Sequence, residues 1–481
     1  MTATSATTPP AGPSTRLDPA VRRTALVLVV GVLAVAFDST IVNVALDTLS
    51  RELHAPLSTI QWVTTGYVLA LAMAVPVTGW LTRRLGGKTV WLAALTLFLV
   101  GSLASSVAWS ASSLIVARVV QGVGGGIMLP VLQNLVVGAA GRENLSKVMG
   151  VVAMPAMLGP ILGPVLGGVI VQHLDWRWIF WVNVPFCVVG WFLARRYVPA
   201  QPRDPSARLD GVGLALLSPG IAAVIYGLSR VAPAGGFAHA EVLVPVVAGL
   251  VLSGAFVVRA LRLGGRALVD LRLFRSRTLT VSSALLFLTG FALLGAMLLL
   301  PLYCQQVRGE SPTTAGLVLA AQGVGLLASR PFAARLTERW GYRTFVATGF
   351  VVTAAATAVF TTTSTHLPLA VLLAALVVRG AGLGAVTVPL MAASYLEVEP
   401  ADVPHASILT RTTQQLGGSF GTAVLAVVLE SAVAAAVAER GPGADALAHG
   451  YAHAFWWATA FTLLGAVVAL WLPGRRAAAD R

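Results

Sequence analysis

Leu158–Ile170 reads LGPILGPVLGGVI and lies inside an apolar stretch, Val148–Val171, broken only by small residues and prolines. Gly159, Gly163 and Gly167 recur every four residues, so on a helix they share one face; Pro160 and Pro164 line the adjacent face at the same spacing. A helix in water would not tolerate this, because each proline removes a backbone hydrogen bond and each glycine costs conformational entropy. In lipid, small residues at four-residue spacing let two helices approach to backbone contact, and neighbouring helices repair the freed carbonyls. The stretch therefore reads as a bent transmembrane helix packed tightly on a partner. Taken alone, it could be a packing face and nothing more.

The rest of the 481-residue chain supports the membrane reading. It is 57% hydrophobic and 11% charged, against about 25% charged residues in a soluble domain. A net charge of +14 could suggest nucleic acid, but the basic residues sit in short loops between apolar segments, so no nucleic-acid partner is expected. Cys187 and Cys304, the only cysteines, lie in apolar stretches and offer neither a disulfide framework nor metal-site spacing. Met1–Thr15 is rich in Ser, Thr, Pro and Ala, and no cleavable signal is evident.

A membrane span needs about 20 predominantly apolar residues. Fourteen candidates run near 24–47, 60–82, 89–109, 112–138, 146–172, 178–197, 211–230, 241–261, 279–305, 313–336, 343–363, 367–395, 405–431 and 451–472. The seventh and eighth are the least distinct, since proline and glycine interrupt the region between Val231 and Phe237. With the N-terminus inside, the cytoplasmic segments hold 24 Arg or Lys and the outer loops five, Arg51, Arg177, Arg230, Arg308 and Arg440. That asymmetry places both termini in the cytoplasm. Arg118, Arg330, Arg379 and Arg411 remain within spans.

The chain also repeats itself weakly. Gly79–Gly86, GWLTRRLG, is echoed 255 residues later by Ala334–Gly341, ARLTERWG. Gln121-Gly122-x-Gly124-x-Gly126 is echoed 258 residues later by Arg379-Gly380-x-Gly382-x-Gly384. Two pairs at nearly one offset point to a duplicated half, the usual plan of secondary transporters. The expected organisation is an all-α polytopic membrane protein. A cytoplasmic tail (1–23) precedes a six-helix bundle (24–198), two inserted helices (199–265), a second six-helix bundle (266–472) and a short tail (473–481).

Asp38 lies about fourteen residues into the first span, roughly 21 Å along a helix and near the membrane centre. A carboxylate there is costly and is by default a functional site. It is the candidate for taking up and releasing a proton; the alternative is a permanently paired or capped group. Arg118, in the fourth span, is its candidate partner. The glycine run after Arg118 has no strand before it and no Lys-Ser/Thr after it, so close helix packing explains it better than nucleotide binding. Glu430, at the outer end of the thirteenth span, is either a second acidic site or a solvated end residue. Arg411 either binds an anion or pairs with an inner-loop acid. Asn43, Gln121, Asn134, Gln305, Gln322 and Gln414 are candidates to line a polar cavity, with interhelical hydrogen bonds the alternative. His405 and His453 are expected at the interface. No nucleophile triad, metal spacing or carboxylate pair stands out, so no catalytic chemistry and no metal are expected.

These features together resemble the major facilitator superfamily, and within it the fourteen-helix drug:proton antiporters. Phe37–Leu46, FDSTIVNVAL, is similar to that group's first-helix motif, with Asp47 where a proline is usual. Gly79–Lys88 is similar to the superfamily's loop motif; Gly79, Arg84, Gly86 and Lys88 match, but Arg83 stands in the aspartate position and Gly87 replaces a basic residue. In the family this loop latches the outward-facing state through charge pairs, so the latch here must change its partner or be lost. Leu114–Pro130 resembles the fourth-helix motif, whose arginine the family links to proton transfer. Gly159, Gly163, Pro164, Gly167 and Gly168 match the antiporter motif, and Trp176–Pro185 resembles a signature of the fourteen-helix group.

The resemblance implies proton-coupled export of small organic molecules across the cytoplasmic membrane by alternating access. It implies a hydrophobic or cationic drug or antibiotic as substrate, no cofactor, and a monomer that works in the bilayer. A dedicated exporter of one natural product or lipid is the nearest alternative. A membrane-embedded sensor or enzyme is more remote, because no loop approaches domain length.

Overall fold

In hydrocarbon a chain must satisfy its own backbone, and helices do so within one segment. The computed structural model describes residues 19–140, 148, 159, 162–163, 166–231, 234–264, 267–310, 312–362, 368–399, 402–441 and 443–473. Every regular element among them is helical. Most of both expected tails, Pro160 and Pro164 lie outside these residues, as does the side chain of Asn43.

The first half comprises α1 (Pro19–Glu52), α2 (Leu57–Ala74), α3 (Thr78–Leu85), α4 (Gly87–Ser106), α5 (Ala111–Ala140), helical turns at 166–173, α6 (Trp178–Trp181) and α7 (Asn183–Tyr197). The inserted pair is α8 (Gly211–Ser229) and α9 (Ala240–Leu263). The second half comprises α10 (Arg277–Gln306), α11 (Pro312–Ala328), α12 (Arg330–Ala358), α13 (Leu369–Ala393), α14 (Val403–Arg440) and α15 (Ala444–Ala469).

Twelve stretches among the described residues are long and apolar enough to cross a membrane. Two of the fourteen expected spans are not among them. The fifth, 146–172, lies largely outside the described residues. The tenth, 313–336, is split: α11 ends at Ala328, and the chain continues into α12 through Ser329 and Pro331. Chain reversal then comes at Gly341, whose φ of 79° breaks α12 in two.

The repeat seen in the sequence extends to contacts. Pro76, in a 3-10 turn at Val75–Val77, bends the second span, and Pro331 stands 255 residues later. Gly86 and Gly341, also 255 apart, both have positive φ, 82° and 79°. On α5, Gly122 and Gly126 lie against the carbonyls of Tyr67 and Leu71, and Gly124 lies on Ala94 and Phe98. On α13, Gly380 and Gly384 lie against the carbonyls of Gln322 and Leu326, and Gly382 lies on Gly349 and Thr353. Each partner in the second set is 255 residues beyond its counterpart in the first.

The small-residue face of the opening stretch does what its spacing predicts. A Cβ on Gly159 would fall on the carbonyl of Ala36, one on Gly163 on the Thr40 hydroxyl, and one on Gly167 would sit 2.9 Å from the Ile41 carbonyl. Thr40 Oγ1 donates to the Gly159 carbonyl at 2.9 Å. The glycine face therefore rides on the Ala36–Ile41 turn of α1. Gly168 faces open space instead.

The two halves close on each other at the end that carries the basic loops. Val75, Leu132 and Val136 share one apolar core with Ala392, Tyr395, Val403 and Ile408. Gly79 meets Ile408 and Pro404 at the start of α14, and Tyr395 Oη donates to Gln133 Oε1 at 3.3 Å. At the opposite end, the cores around Ile41 and Phe180 and around Tyr303 and Phe455 are separate among the described residues.

Two outcomes follow from this packing. Gly163→Leu is expected to displace the helix from Thr40, at a cost of about 1–3 kcal/mol, and to impair transport; wild-type flux in reconstituted protein would count against the close contact. Gly86→Ala and Gly341→Ala should each cost about 1–3 kcal/mol, because only glycine adopts these angles without strain. Thermal unfolding in detergent reads this, and the two losses should be of similar size.

Candidate functional site

Asp38 lies midway between Ala36 and Thr40 in the chain, on the opposite face of α1 from their glycine contacts, and is fully buried. Three side chains donate to its carboxylate. Arg118 on α5 donates through Nη1 to Oδ2 at 2.6 Å, Gln121 Nε2 to Oδ1 at 2.9 Å, and Asn183 Nδ2 to Oδ1 at 3.0 Å. Arg118 and Gln121 are three residues apart on α5, so the helix presents both on one face. Arg118 is held further by the Val63 carbonyl, by Gln121 Oε1 at 2.8 Å, and by the Tyr67 ring, 4.0 Å below the guanidinium. A buried charge persists only when paired and hydrogen-bonded, and this one is both.

The expected partner of Asp38, Arg118, stands beside it, whereas Gln121, a cavity-lining candidate, makes an interhelical hydrogen bond to Asp38 instead. The sequence missed Asn183, which stood in the Trp176–Pro185 signature without a role. It also missed Ser102, which accepts from Asn183 Nδ2 at 3.1 Å and donates to the Phe180 carbonyl at 2.8 Å. An asparagine inside an apolar span was the available signal.

The remaining candidates scatter. Gln322 is buried and accepts from Arg379 Nη1, so it makes an interhelical hydrogen bond rather than lining a cavity. Gln305 is exposed; its neighbour Gln306 accepts from Tyr451 Oη at 2.8 Å. Asn134 is half-buried sixteen residues beyond Arg118 and lies far from Asp38 along α5. Glu430 is exposed at the outer end of α14. His405 is buried under the closed end rather than interfacial, while His453 is exposed and accepts from Trp457 Nε1 at 3.3 Å.

Arg411 donates to Gln414 Oε1 at 3.0 Å, and its buried Nε has no partner. With Thr412, Gln415, Leu71, Val75 and Ile221 it lines a cavity of about 10 Å³ in the seam between the halves, room for roughly one water. Arg379 is buried and donates only to neutral acceptors, Gln322, Thr357 and the Ala292 carbonyl.

The loop motif has a changed charge pattern. Lys88 Nζ donates to the Arg195 carbonyl at 2.8 Å, and Arg84 is exposed. Arg83, in the aspartate position, receives the Asp204 amide on its carbonyl at 2.8 Å. Its side chain lies within electrostatic reach of Asp402, which precedes α14. Burial and the nearby Asp270 push the Asp402 carboxyl above the usual range, while Arg83 works against them.

Comparison with known proteins agrees with this architecture. The profile of the Major Facilitator Superfamily matches residues 28–422 and 311–481. The chain is 35% identical over 418 residues to a multidrug resistance protein B homolog of Mycobacterium tuberculosis, covering 86% of this chain and 77% of the relative. It is 32% identical over 418 residues to a tetracenomycin C resistance and export protein of Streptomyces glaucescens, covering 85% and 76%. The crystal structure of the human organic anion transporter MFSD10 superposes with a TM-score of 0.65 at 18% identity, over 94% of this chain and all of that one. With its apolar helices, duplicated halves and relatives of this kind, the chain is a multi-pass membrane transporter and belongs to the Major Facilitator Superfamily, among its drug exporters.

Proposed function

We propose that this chain is a proton-coupled antiporter that exports small hydrophobic molecules, drugs or antibiotics, across the cytoplasmic membrane by alternating access. In this reading fourteen helices form two six-helix bundles around an inserted pair, both termini are cytoplasmic, and the monomer uses the proton gradient with no cofactor. The names of the relatives, which speak of multidrug resistance and of tetracenomycin C resistance and export, support drug efflux.

The observation that carries the reading is Asp38, buried and ringed by Arg118, Gln121 and Asn183. Protonating it would leave Arg118 without a counter-charge in a low-dielectric site, a cost that rearrangement toward water would relieve. Proton binding and conformation are thereby linked, as antiport requires. Protons from outside would load Asp38 as substrate leaves, and their release inside would reset the carrier. Cationic substrates are disfavoured by Arg379 and Arg411, two cations without a carboxylate partner among the described residues.

In proteoliposomes with an imposed pH gradient, Asp38→Asn is expected to abolish gradient-driven efflux while leaving protein abundance and substrate binding largely intact. Active efflux by that variant would remove Asp38 as the coupling carboxylate. Substrate-dependent proton movement with several unrelated compounds would mark a multidrug exporter; a response to one alone would mark a dedicated one.

A further inference from the structure

Around the Asp38 carboxylate every hydrogen bond is donated to it. A protonated Asp38 must itself donate one, so some neighbour must supply an acceptor. Arg118 has none to offer, since a guanidinium only donates. Gln121 has its oxygen committed to Arg118 Nη1, and turning its amide over would set an NH2 group against the guanidinium. Asn183 is different. Its Nδ2 gives one hydrogen to Asp38 and one to Ser102 Oγ, while its Oδ1 is buried with no hydrogen-bond partner among the described residues.

An orphaned buried acceptor one amide rotation away from a carboxylate is costly unless another state uses it. We infer that Asn183 is a positioning residue that reads the protonation state of Asp38, its amide turning over so that Oδ1 accepts from the protonated carboxyl. This deepens the proton-coupling reading and rests on it. Asp38 gains one O–H, and Asn183 exchanges two donated hydrogen bonds for two accepted ones; its NH2 moves to the place Oδ1 held, where the turned state needs a water or a shifted neighbour as acceptor. The second accepted bond comes from Ser102, whose hydroxyl swings from the Phe180 carbonyl toward Asn183. The polarity of the chain Ser102–Asn183–Asp38 reverses as a unit, and the Phe180 carbonyl is released. Phe180 and Asn183 lie within one helical turn of the same span, and the Phe180 carbonyl keeps the Val182 amide, so the reversal changes only its bond to Ser102.

Infrared pH-difference spectra of the purified full-length protein, with and without isotope-labelled asparagine, test this. The expected result is a carboxylic-acid band that vanishes in Asp38→Asn, titrating together with an asparagine amide change that vanishes in Asn183→Leu. Asn183→Leu matches the side chain in size without either polar group. It should lower proton-driven exchange about tenfold or more while keeping substrate binding and thermal stability near wild type. The conservative Asn183→Gln should recover part of the exchange. An Asp38 band without any asparagine change, or wild-type exchange in Asn183→Leu, would overturn the role of Asn183 and leave proton coupling at Asp38 standing. Absence of any titrating Asp38 band would overturn both.

Discussion

The ion pair between Asp38 and Arg118 governs how the first half is built. Breaking such a pair by removing one partner leaves an uncompensated buried charge and costs about 3–5 kcal/mol. The pair survives in the bilayer because its surroundings are close-packed and contribute donors. The glycine face over Ala36–Ile41 shields α1 from lipid. Gly122 and Gly126 bring α5 near enough to α2 for the Tyr67 ring to cover the guanidinium. Larger residues at these glycines would separate the helices and open the charges to hydrocarbon. The glycines and the charges are therefore one device: the small residues permit the approach, and the approach makes the buried charges tolerable.

The scaffold is duplicated, but its chemistry is not. Contacts at Gly122, Gly124 and Gly126 recur at Gly380, Gly382 and Gly384. In the repeat, Arg379 stands where Gln121 stands in the first half. Its bonds go to Gln322, Thr357 and a backbone carbonyl, none of which titrates near neutral pH. The first half pairs its buried arginine with a carboxylate; the second bonds its buried arginine to neutral groups among the described residues.

Periodicity and hydropathy made the helices, the duplication and the tight packing of 159–167 legible in the sequence, because lipid enforces them on the backbone. Asp38 and Arg118 were legible because charge in a span needs a reason. Their neighbours were not. Nothing in the spacing of Gln322 distinguishes a bond to Arg379 from a place in a cavity, since both put an amide in an apolar helix. Gln305 and Gln306 are both exposed and differ only by 100° of helical rotation, yet Gln306 is the one that meets Tyr451. Asn183 reaches Asp38 across 145 positions, a distance that no local pattern spans. The electrostatic influence of Arg83 on Asp402 was likewise hidden, because Asp402 comes from the other half of the chain.

The inserted pair adds a constraint on how the halves can move. α8 leans on both of them: Ser218 Oγ donates to the Met73 carbonyl at 2.8 Å, Trp62 stacks on Tyr226, and Leu228 packs with Ala423 and Phe420 of α14. α9 presents Val244, Leu250 and Val251 outward, as a lipid-facing helix should. Asp210 ties the base of the pair to the second half's lead-in segment, binding Arg259 and the Leu268 amide. Burial works to make the carboxyl a weaker acid, but Arg259 and the amides of Gly213 and Leu268 prevail and hold it below its usual range. The charge is thus kept at neutral pH, and the tie with it. With α8 lying along the seam between α2 and α14, separation of the halves there must either slide aliphatic side chains over one another or carry α8 with one half. The aliphatic contacts of Leu228 with Ala423 and Phe420 on α14 carry no directional bond to break, whereas the Ser218 bond to Met73 on α2 does. Directional bonding on the α2 side and smooth contact on the α14 side would hold α8 to α2 in any separation of the halves.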